Sequence, residues 1–173
     1  MYFGNVGRVV DLCFVRFFSP WGPLFSHMVL FENRYRTHDI GLLLLRIGIG
    51  VMFTMHGYPK LFGGQETWAQ VGGVMKLVGL DFAPAFWGFL AAAAEAIGGQ
   101  LLALGLFFRI TCVMLLGTMI MATIMHVSSG DGFNGYSHAL ESGFVFLGLL
   151  FSGPGRYSID QMLFPARTPN QLY

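Results

Sequence analysis

The chain has 173 residues, of which 54% are hydrophobic and only 11% charged, and its formal net charge is +1. Soluble domains usually carry about 25% charged residues, so this composition predicts an integral membrane protein. The length allows one domain of about four spans of roughly 20 residues, and hardly a soluble catalytic domain beside them. Because the basic residues are scattered along a nearly neutral chain, nucleic acid is not an expected partner.

The first 38 residues differ from the rest of the chain. Residues 9–31 are apolar and aromatic, but charges and prolines interrupt them, which favours an interfacial or docking segment over a fifth span or a cleaved signal peptide. We therefore divide the chain into an N-terminal extension (1–38), a four-span domain (39–163) and a C-terminal tail (164–173). The interrupting residues are Asp11, Arg16, Pro20, Pro23 and His27.

Four stretches are predicted to be membrane-spanning helices: 40–58, 83–106, 108–127 and the shorter 138–151. Turn formers at Gly105 and at 128–135 separate the later stretches, which indicates antiparallel neighbours. Small residues let membrane helices approach closely, so the fold class expected is an all-α, integral membrane four-helix bundle. The glycines that fall within or at the ends of spans are Gly48, Gly50, Gly57, Gly88, Gly98, Gly99 and Gly117.

The basic residues outside the spans predict the orientation of the chain. Arginines dominate the side shared by the termini and the second-to-third turn, so the positive-inside rule places both termini in the cytoplasm, in the inner (cytoplasmic) membrane. The loop 57–82 is then external, and its part 67–79 is apolar enough to form a short lid along the interface. The residues compared are Arg8, Arg16, Arg34, Arg36, Arg109, Arg156 and Arg167 on one side, and Lys60 and Lys76 on the other.

Two charges lie inside predicted spans, Arg46 in the first and Glu95 in the second. Each lone charge near the bilayer centre costs at least about 2.5–3.5 kcal/mol, so both are expected to face the inside of the bundle. The reach of an arginine makes an Arg46–Glu95 pair feasible. The pair is interpreted either as a structural salt bridge or as part of a functional site.

Titratable groups also gather at the predicted external span ends: His56, His126, His138 and Glu141. Three imidazoles and a carboxylate could hold a transition metal, or the same groups could bind a quinone carbonyl and exchange its protons, or serve as plain interfacial residues. No metal motif occurs, and Cys13 and Cys112 show no paired spacing, so no metal site is predicted. Lys60 and Arg109 are expected to snorkel or to pair with Glu141 and the C-terminal carboxylates, and Lys60 joins the candidate quinone and proton site.

Read together, several segments resemble the DoxX family of small four-span membrane proteins, over residues 40–163. They are LRIGIG at 45–50, HGYPKLFGG at 56–64, EAIGGQLLALGL at 95–106 and GPGRYSID at 153–160. The resemblance implies an integral membrane protein of the kind associated with redox complexes, including a quinone-linked thiosulfate oxidoreductase subunit and a membrane partner of antioxidant enzymes. The motif positions are Arg46, His56, Gly57, Lys60, Glu95, Arg109, Glu141, Gly153, Gly155, Arg156 and Asp160.

Three functions are compatible with the sequence. The leading hypothesis is an accessory subunit that stabilises or docks a larger membrane redox or electron-transfer complex, with lipid and other membrane subunits as partners, and that could contribute to a quinone site. The second is a self-contained quinone-reactive subunit of the thiosulfate:quinone type. The third is a small-solute transporter, although no inverted repeat supports it. The expected cofactors are a quinone and lipids, with nothing covalently bound, and the chain is more readily a non-catalytic subunit than an enzyme on its own.

Overall fold

A computed structural model describes residues 35–164, and side chains from residue 38 onward. The predicted N-terminal extension, including segment 9–31, and all of the C-terminal tail but its first residue lie outside this range. The described chain is all-α and contains no strand. Its helices are α1 (Tyr35–Phe62), α2 (Gly64–Gly72), a 3-10 helix (Gly73–Val78), α3 (Pro84–Leu104), α4 (Phe108–Ser129), α5 (Gly132–Ser152) and α6 (Ile159–Leu163).

Helix boundaries follow the predicted spans except at α1 and α5. Helix α1 begins five residues before and ends four residues after the predicted stretch 40–58, and Pro59 lies inside it. The prediction of a turn over 128–135 holds only for residues 130–131, because α4 continues to Ser129 and α5 begins at Gly132. Only Gly130 and Asp131 separate α4 from α5. The left-handed φ of 75° at Gly130 lets the chain reverse there without a longer loop.

Three helices are long and apolar enough to cross a membrane: His38–Phe62, Pro84–Leu104 and Phe108–Ser129. These helices expose apolar side chains and bury charged ones, the reverse of what a soluble bundle does. Leu44 and Ile110 are more than 60% exposed, whereas Arg46 is fully buried and Glu95 is 5% exposed. Apolar exteriors around buried charges are what lipid-facing helices require. Helix α5 is as long as α3, but its polar first half keeps it below the apolarity of the other three, so a fourth span stays a prediction.

Glycines bring α1 and α3 into backbone contact. A Cβ atom added at Gly50 would lie 2.5 Å from the carbonyl oxygen of Gly99, and one at Gly57 would overlap the backbone of Ala96. Close approach at small residues is the usual basis of helix association in lipid, where there is no hydrophobic drive between helices. The prediction holds for these positions but not for Gly48 and Gly117, where an added Cβ atom would meet no other atom within 4 Å.

One hydrophobic core joins α1, α3, α4 and α5. Phe53 of α1 meets Phe146 of α5 edge to face, with ring centroids 4.8 Å apart. Leu102 of α3 and Leu115 of α4 are completely buried in the same cluster. The four long helices are therefore held by shared packing.

The segment predicted to be a lid folds back on α3. It forms α2 and the 3-10 helix, and the backbone of α2 at Trp68 and Gly72 touches that of α3 at Gly88. The indole Nε1 of Trp68 donates hydrogen bonds to the carbonyl oxygens of Lys60 (3.0 Å) and Leu61 (3.2 Å), which fixes α2 to the end of α1. Its position at a membrane interface stays a prediction.

Candidate functional site

Arg46 lies at the end of the bundle where α3 turns into α4. Its guanidinium Nη2 donates to the carbonyl oxygen of Tyr157 at 2.8 Å, and Cζ lies 5.9 Å from the ring centroid of Phe108. The Nη1 atom touches Gly105, where any side chain would overlap it. The Nε and Nη1 atoms are buried without a hydrogen-bond partner among residues 35–164. Arg46 is thus enclosed by protein and holds the segment after α5 against the bundle.

Asp160 lies far from α4 in the sequence but caps its N-terminus. Its carboxylate accepts hydrogen bonds from the backbone N–H groups of Phe107 (2.9 Å) and Phe108 (2.8 Å), and its own N–H donates to the Gly105 carbonyl at 2.9 Å. These are N–H groups that the first turn of a helix leaves without partners. Arg109 and Arg156, two further motif positions, have exposed side chains. This end of the molecule is therefore a structural junction.

Glu95 pairs with a lysine instead of Arg46. The Nζ atom of Lys60 lies 2.6 Å from Oε2 of Glu95, with 39% and 7% of the two side chains exposed. The predicted Arg46–Glu95 pair is wrong, and so is the pairing of Lys60 with Glu141. Lys60 lies fourteen residues beyond Arg46 on α1, about 21 Å along the helix axis, and the glycine contacts set which of the two meets Glu95.

A cavity of about 510 Å³ opens beside this ion pair, lined by α3, α4 and the segment from Val71 to Met75. Most of the lining is apolar, and its polar side chains are those of Lys60, Trp87, Glu95, Thr118 and His126. A large apolar pocket with a few convergent polar groups is the usual form of a small-molecule site. A second cavity of about 420 Å³, between α4 and α5, is lined by apolar side chains and Thr123 and holds no ionisable group.

The titratable groups predicted to converge are divided into two groups. His126 lines the cavity, and its Nδ1 lies 2.6 Å from Oδ2 of Asp131. His56 and His138 lie together, with ring centroids 6.4 Å apart, and both are exposed, as is Glu141. Of the four, only His126 lines the cavity. No cluster of three or more His, Cys, Asp or Glu side chains that could hold a metal occurs in the described part of the chain.

Sequence reasoning missed two residues of the cavity region. Trp87 lines the cavity, and its indole Nε1 is buried without a partner among the described residues. Asp131 falls in the predicted turn 128–135, and its carboxylate contacts His126. Nothing in the sequence marks Trp87, whereas an aspartate five residues after a histidine near the end of a predicted helix is a usable signal for such a pair. Three methionines of α4 also line the cavity: Met114, Met121 and Met125.

Comparison with known proteins identifies the family. The family model described as DoxX matches residues 41–127, which contain Arg46, Lys60, Trp87, Glu95 and His126. The chain belongs to the DoxX family. The resemblance seen in the sequence segments is confirmed by this match. No solved structure matches the chain significantly.

Three relatives show how this DoxX protein compares with named ones. It is 38% identical to "Putative oxidoreductase CatD" of Bacillus subtilis (strain 168) over 51% of this chain and 61% of that protein. It is 29% identical to "Inner membrane protein YqjF" of Escherichia coli (strain K12) over 74% of this chain and 95% of that protein. It is 30% identical to "Uncharacterized membrane protein Rv3486" of Mycobacterium tuberculosis (strain ATCC 25618 / H37Rv) over 70% of this chain and 80% of that protein.

Proposed function

We propose that this DoxX protein is a membrane subunit of a redox assembly and that the cavity between α3 and α4 binds a quinone. The observation that carries the proposal is the Lys60–Glu95 ion pair in the wall of a largely apolar cavity. The name of the Bacillus subtilis relative, an oxidoreductase, supports a redox role.

The cavity has the size and polarity that a quinone needs. Its volume of about 510 Å³ lies within the range of about 300–1,000 Å³ typical of ligand pockets. The apolar wall suits the ring and the first part of an isoprenoid tail, and the ammonium of Lys60 can donate a hydrogen bond to a carbonyl oxygen. Because the carboxylate of Glu95 is 7% exposed, its charge is sheltered from water and interacts strongly with whatever lies beside it.

Residues of this chain would transfer protons to and from the quinone. Reduction of a quinone to its quinol takes two electrons and two protons. The electrons would come from a redox centre of a partner protein. Lys60, Glu95 and His126 line the cavity and can hold or pass a proton, since each has a protonated and an unprotonated form.

We extend the proposal to the placement of the protein in the membrane. Helix α5 shares the core with the three apolar helices, so it would form a fourth span and complete an antiparallel bundle in the inner membrane, with both termini in the cytoplasm. Residues 1–38 would bind the partner subunits of the assembly. Purification of the native protein in mild detergent, followed by mass spectrometry of co-purifying chains, tests this: redox subunits should be recovered, and deletion of residues 1–38 should release them.

Quinone binding is tested with decylubiquinone titrated into purified protein in detergent, read by quenching of tryptophan fluorescence. Trp87 lines the cavity, so the wild type should be quenched in a saturable manner and Trp87→Phe should lose most of the effect. Lys60→Met should weaken the affinity about tenfold, since it removes a hydrogen bond from a charged donor, which contributes about 1.5–3 kcal/mol. Glu95→Gln should weaken it by less, because it removes the carboxylate that positions the Lys60 ammonium.

Matched controls use charges that lie outside the cavity. Glu141→Gln and Lys76→Met alter an exposed glutamate and an exposed lysine, and they should leave the affinity for decylubiquinone unchanged. Absence of saturable quenching in the wild type would refute quinone binding. Equal loss of affinity in the controls and the cavity variants would show that general charge, and not the cavity, attracts the ligand.

A further inference from the structure

The structure points to a second polar subsite in the same cavity, formed by Trp87 and His126 and positioned by Asp131. We propose that it binds a carbonyl oxygen of the ligand on the side away from the Lys60–Glu95 pair. This inference rests on the proposed quinone site and specifies how the ligand is held. It assigns Asp131 as a positioning residue, since that side chain acts through His126.

Trp87 and His126 lie at the same end of the cavity because α3 and α4 are antiparallel. Trp87 is in the first turn of α3, and His126 is in the last turn of α4. Side chains of a helix lean toward its N-terminus. His126 therefore leans into the cavity along α4, and Glu95 leans along α3 toward the end where His126 lies. A ring between them would have one polar group on each side.

The Trp87 indole brings an unpartnered donor to this part of the cavity wall. Its Nε1 is a donor only, and it is buried without a hydrogen-bond partner within residues 35–164. An unsatisfied buried donor costs about 1–3 kcal/mol, so a native structure normally supplies it with an acceptor. A carbonyl oxygen of a ligand in the cavity would supply one.

The His126–Asp131 pair gives this subsite a group that suits a quinone and its quinol alike. A carboxylate only accepts hydrogen bonds, so the 2.6 Å contact places a proton on Nδ1 of His126. Nε2 has no hydrogen-bond partner in the described part of the chain. A charged imidazole donates from Nε2 to a carbonyl, and a neutral one accepts there from a hydroxyl. Asp131 thereby fixes the tautomer that leaves Nε2 available.

A pair of ligands separates carbonyl binding from simple filling of the cavity. Decylubiquinone and a decyl trimethoxybenzene without carbonyl groups are titrated into the full-length protein in detergent by isothermal titration calorimetry. Trp87→Phe and His126→Gln should each weaken binding of decylubiquinone about fivefold to tenfold, the effect of one lost hydrogen bond. Both variants should bind the carbonyl-free compound as the wild type does, which also shows that the cavity is intact.

Asp131→Asn tests the positioning role. It should weaken decylubiquinone binding about threefold, through less control of the His126 tautomer, and in the His126→Gln background it should have no further effect. His138→Gln and Asp81→Asn are the matched controls, because both groups are exposed and lie outside the cavity. Neither should change the affinity for either ligand.

The outcomes distinguish failure of this inference from failure of quinone binding. If Lys60→Met and Glu95→Gln weaken decylubiquinone binding while Trp87→Phe and His126→Gln do not, the second subsite is refuted and the quinone site stands. Equal losses for both ligands in the Trp87 and His126 variants would also refute it, since they would indicate a role in packing only. If the wild type does not prefer decylubiquinone to the carbonyl-free compound, both proposals fail.

Discussion

The two charges buried among the apolar helices, Arg46 and Glu95, are held in opposite ways. Arg46 is fully enclosed, bound to the Tyr157 carbonyl and packed against Gly105, so no space remains beside it. Glu95 meets a half-exposed lysine in the wall of a cavity of about 510 Å³. A buried charge that protein atoms surround on all sides stabilises an arrangement of segments. A buried charge beside an open cavity can act on a ligand.

The difference arises from what each helix neighbour offers. At the Arg46 end, the segment between α5 and α6 turns back over the bundle and supplies the Tyr157 carbonyl, and α6 supplies the Asp160 carboxylate. At the Glu95 end, α2 and the 3-10 helix pack on α3 but leave the space toward α4 open. Because burial alone does not separate the two cases, the state of the space beside the charge is the more useful indicator of function.

The largest effect is expected from separating α1 and α3, on which the Lys60–Glu95 pair depends. Gly57→Val would place a side chain into the Ala96 backbone, and overpacking of this kind should lower the free energy of unfolding by about 3 kcal/mol. Gly48→Val on the same helix has open space around it and should change stability by less than about 0.5 kcal/mol. Unfolding in increasing dodecyl sulfate measures both, and equal effects would contradict the observed α1–α3 contact.

Removal of the cap at the Arg46 end should cost less. Asp160→Ala leaves the N–H groups of Phe107 and Phe108 without an acceptor, so the free energy of unfolding should fall by about 2 kcal/mol. Asp81→Ala, an exposed aspartate paired loosely with Lys76 at 3.8 Å, should have no measurable effect. Decylubiquinone affinity of Asp160→Ala should stay at the wild-type value. Weaker binding would show that the two ends are coupled.

The smallest effect is expected at the ion pair itself. Lys60→Met removes the partner of a buried carboxylate, but the lysine is half exposed, so the free energy of unfolding should fall by only about 1 kcal/mol. Adding Glu95→Gln should restore most of this loss, because the uncompensated charge is then gone. The double-mutant cycle in dodecyl sulfate gives the coupling energy, and strictly additive effects would show that the pair does not form in the membrane.

Much of this fold is predictable from composition and spacing. The apolar stretches marked three helices that could span the membrane, and the cost of a charge in lipid placed Arg46 and Glu95 inside before any contact was known. The turn at 128–135 was overestimated because glycine and asparagine can also be accommodated in the first turn of a helix, as they are at the start of α5.

The candidate site was predictable only in part. His126, Lys60 and Glu95 were each marked by their chemistry, yet their grouping was not. His56 and His138 looked equivalent to His126 in sequence, since all three lie at or near predicted span ends, but only His126 lines the cavity. Which side of a helix end faces a cavity depends on how that helix is rotated against its neighbours, and the weak amphipathic pattern of membrane helices does not record this rotation.

Composition and motifs are sufficient to identify a helical membrane protein of the DoxX family with its charges turned inward, because transfer of polar groups into lipid is costly whatever their partners are. The partners themselves, Lys60 for Glu95 and the Tyr157 carbonyl for Arg46, follow only from the tertiary fold. Those partners depend on the close glycine contacts between α1 and α3 and on the fold-back of the segment after α5, which bring together residues far apart in the chain.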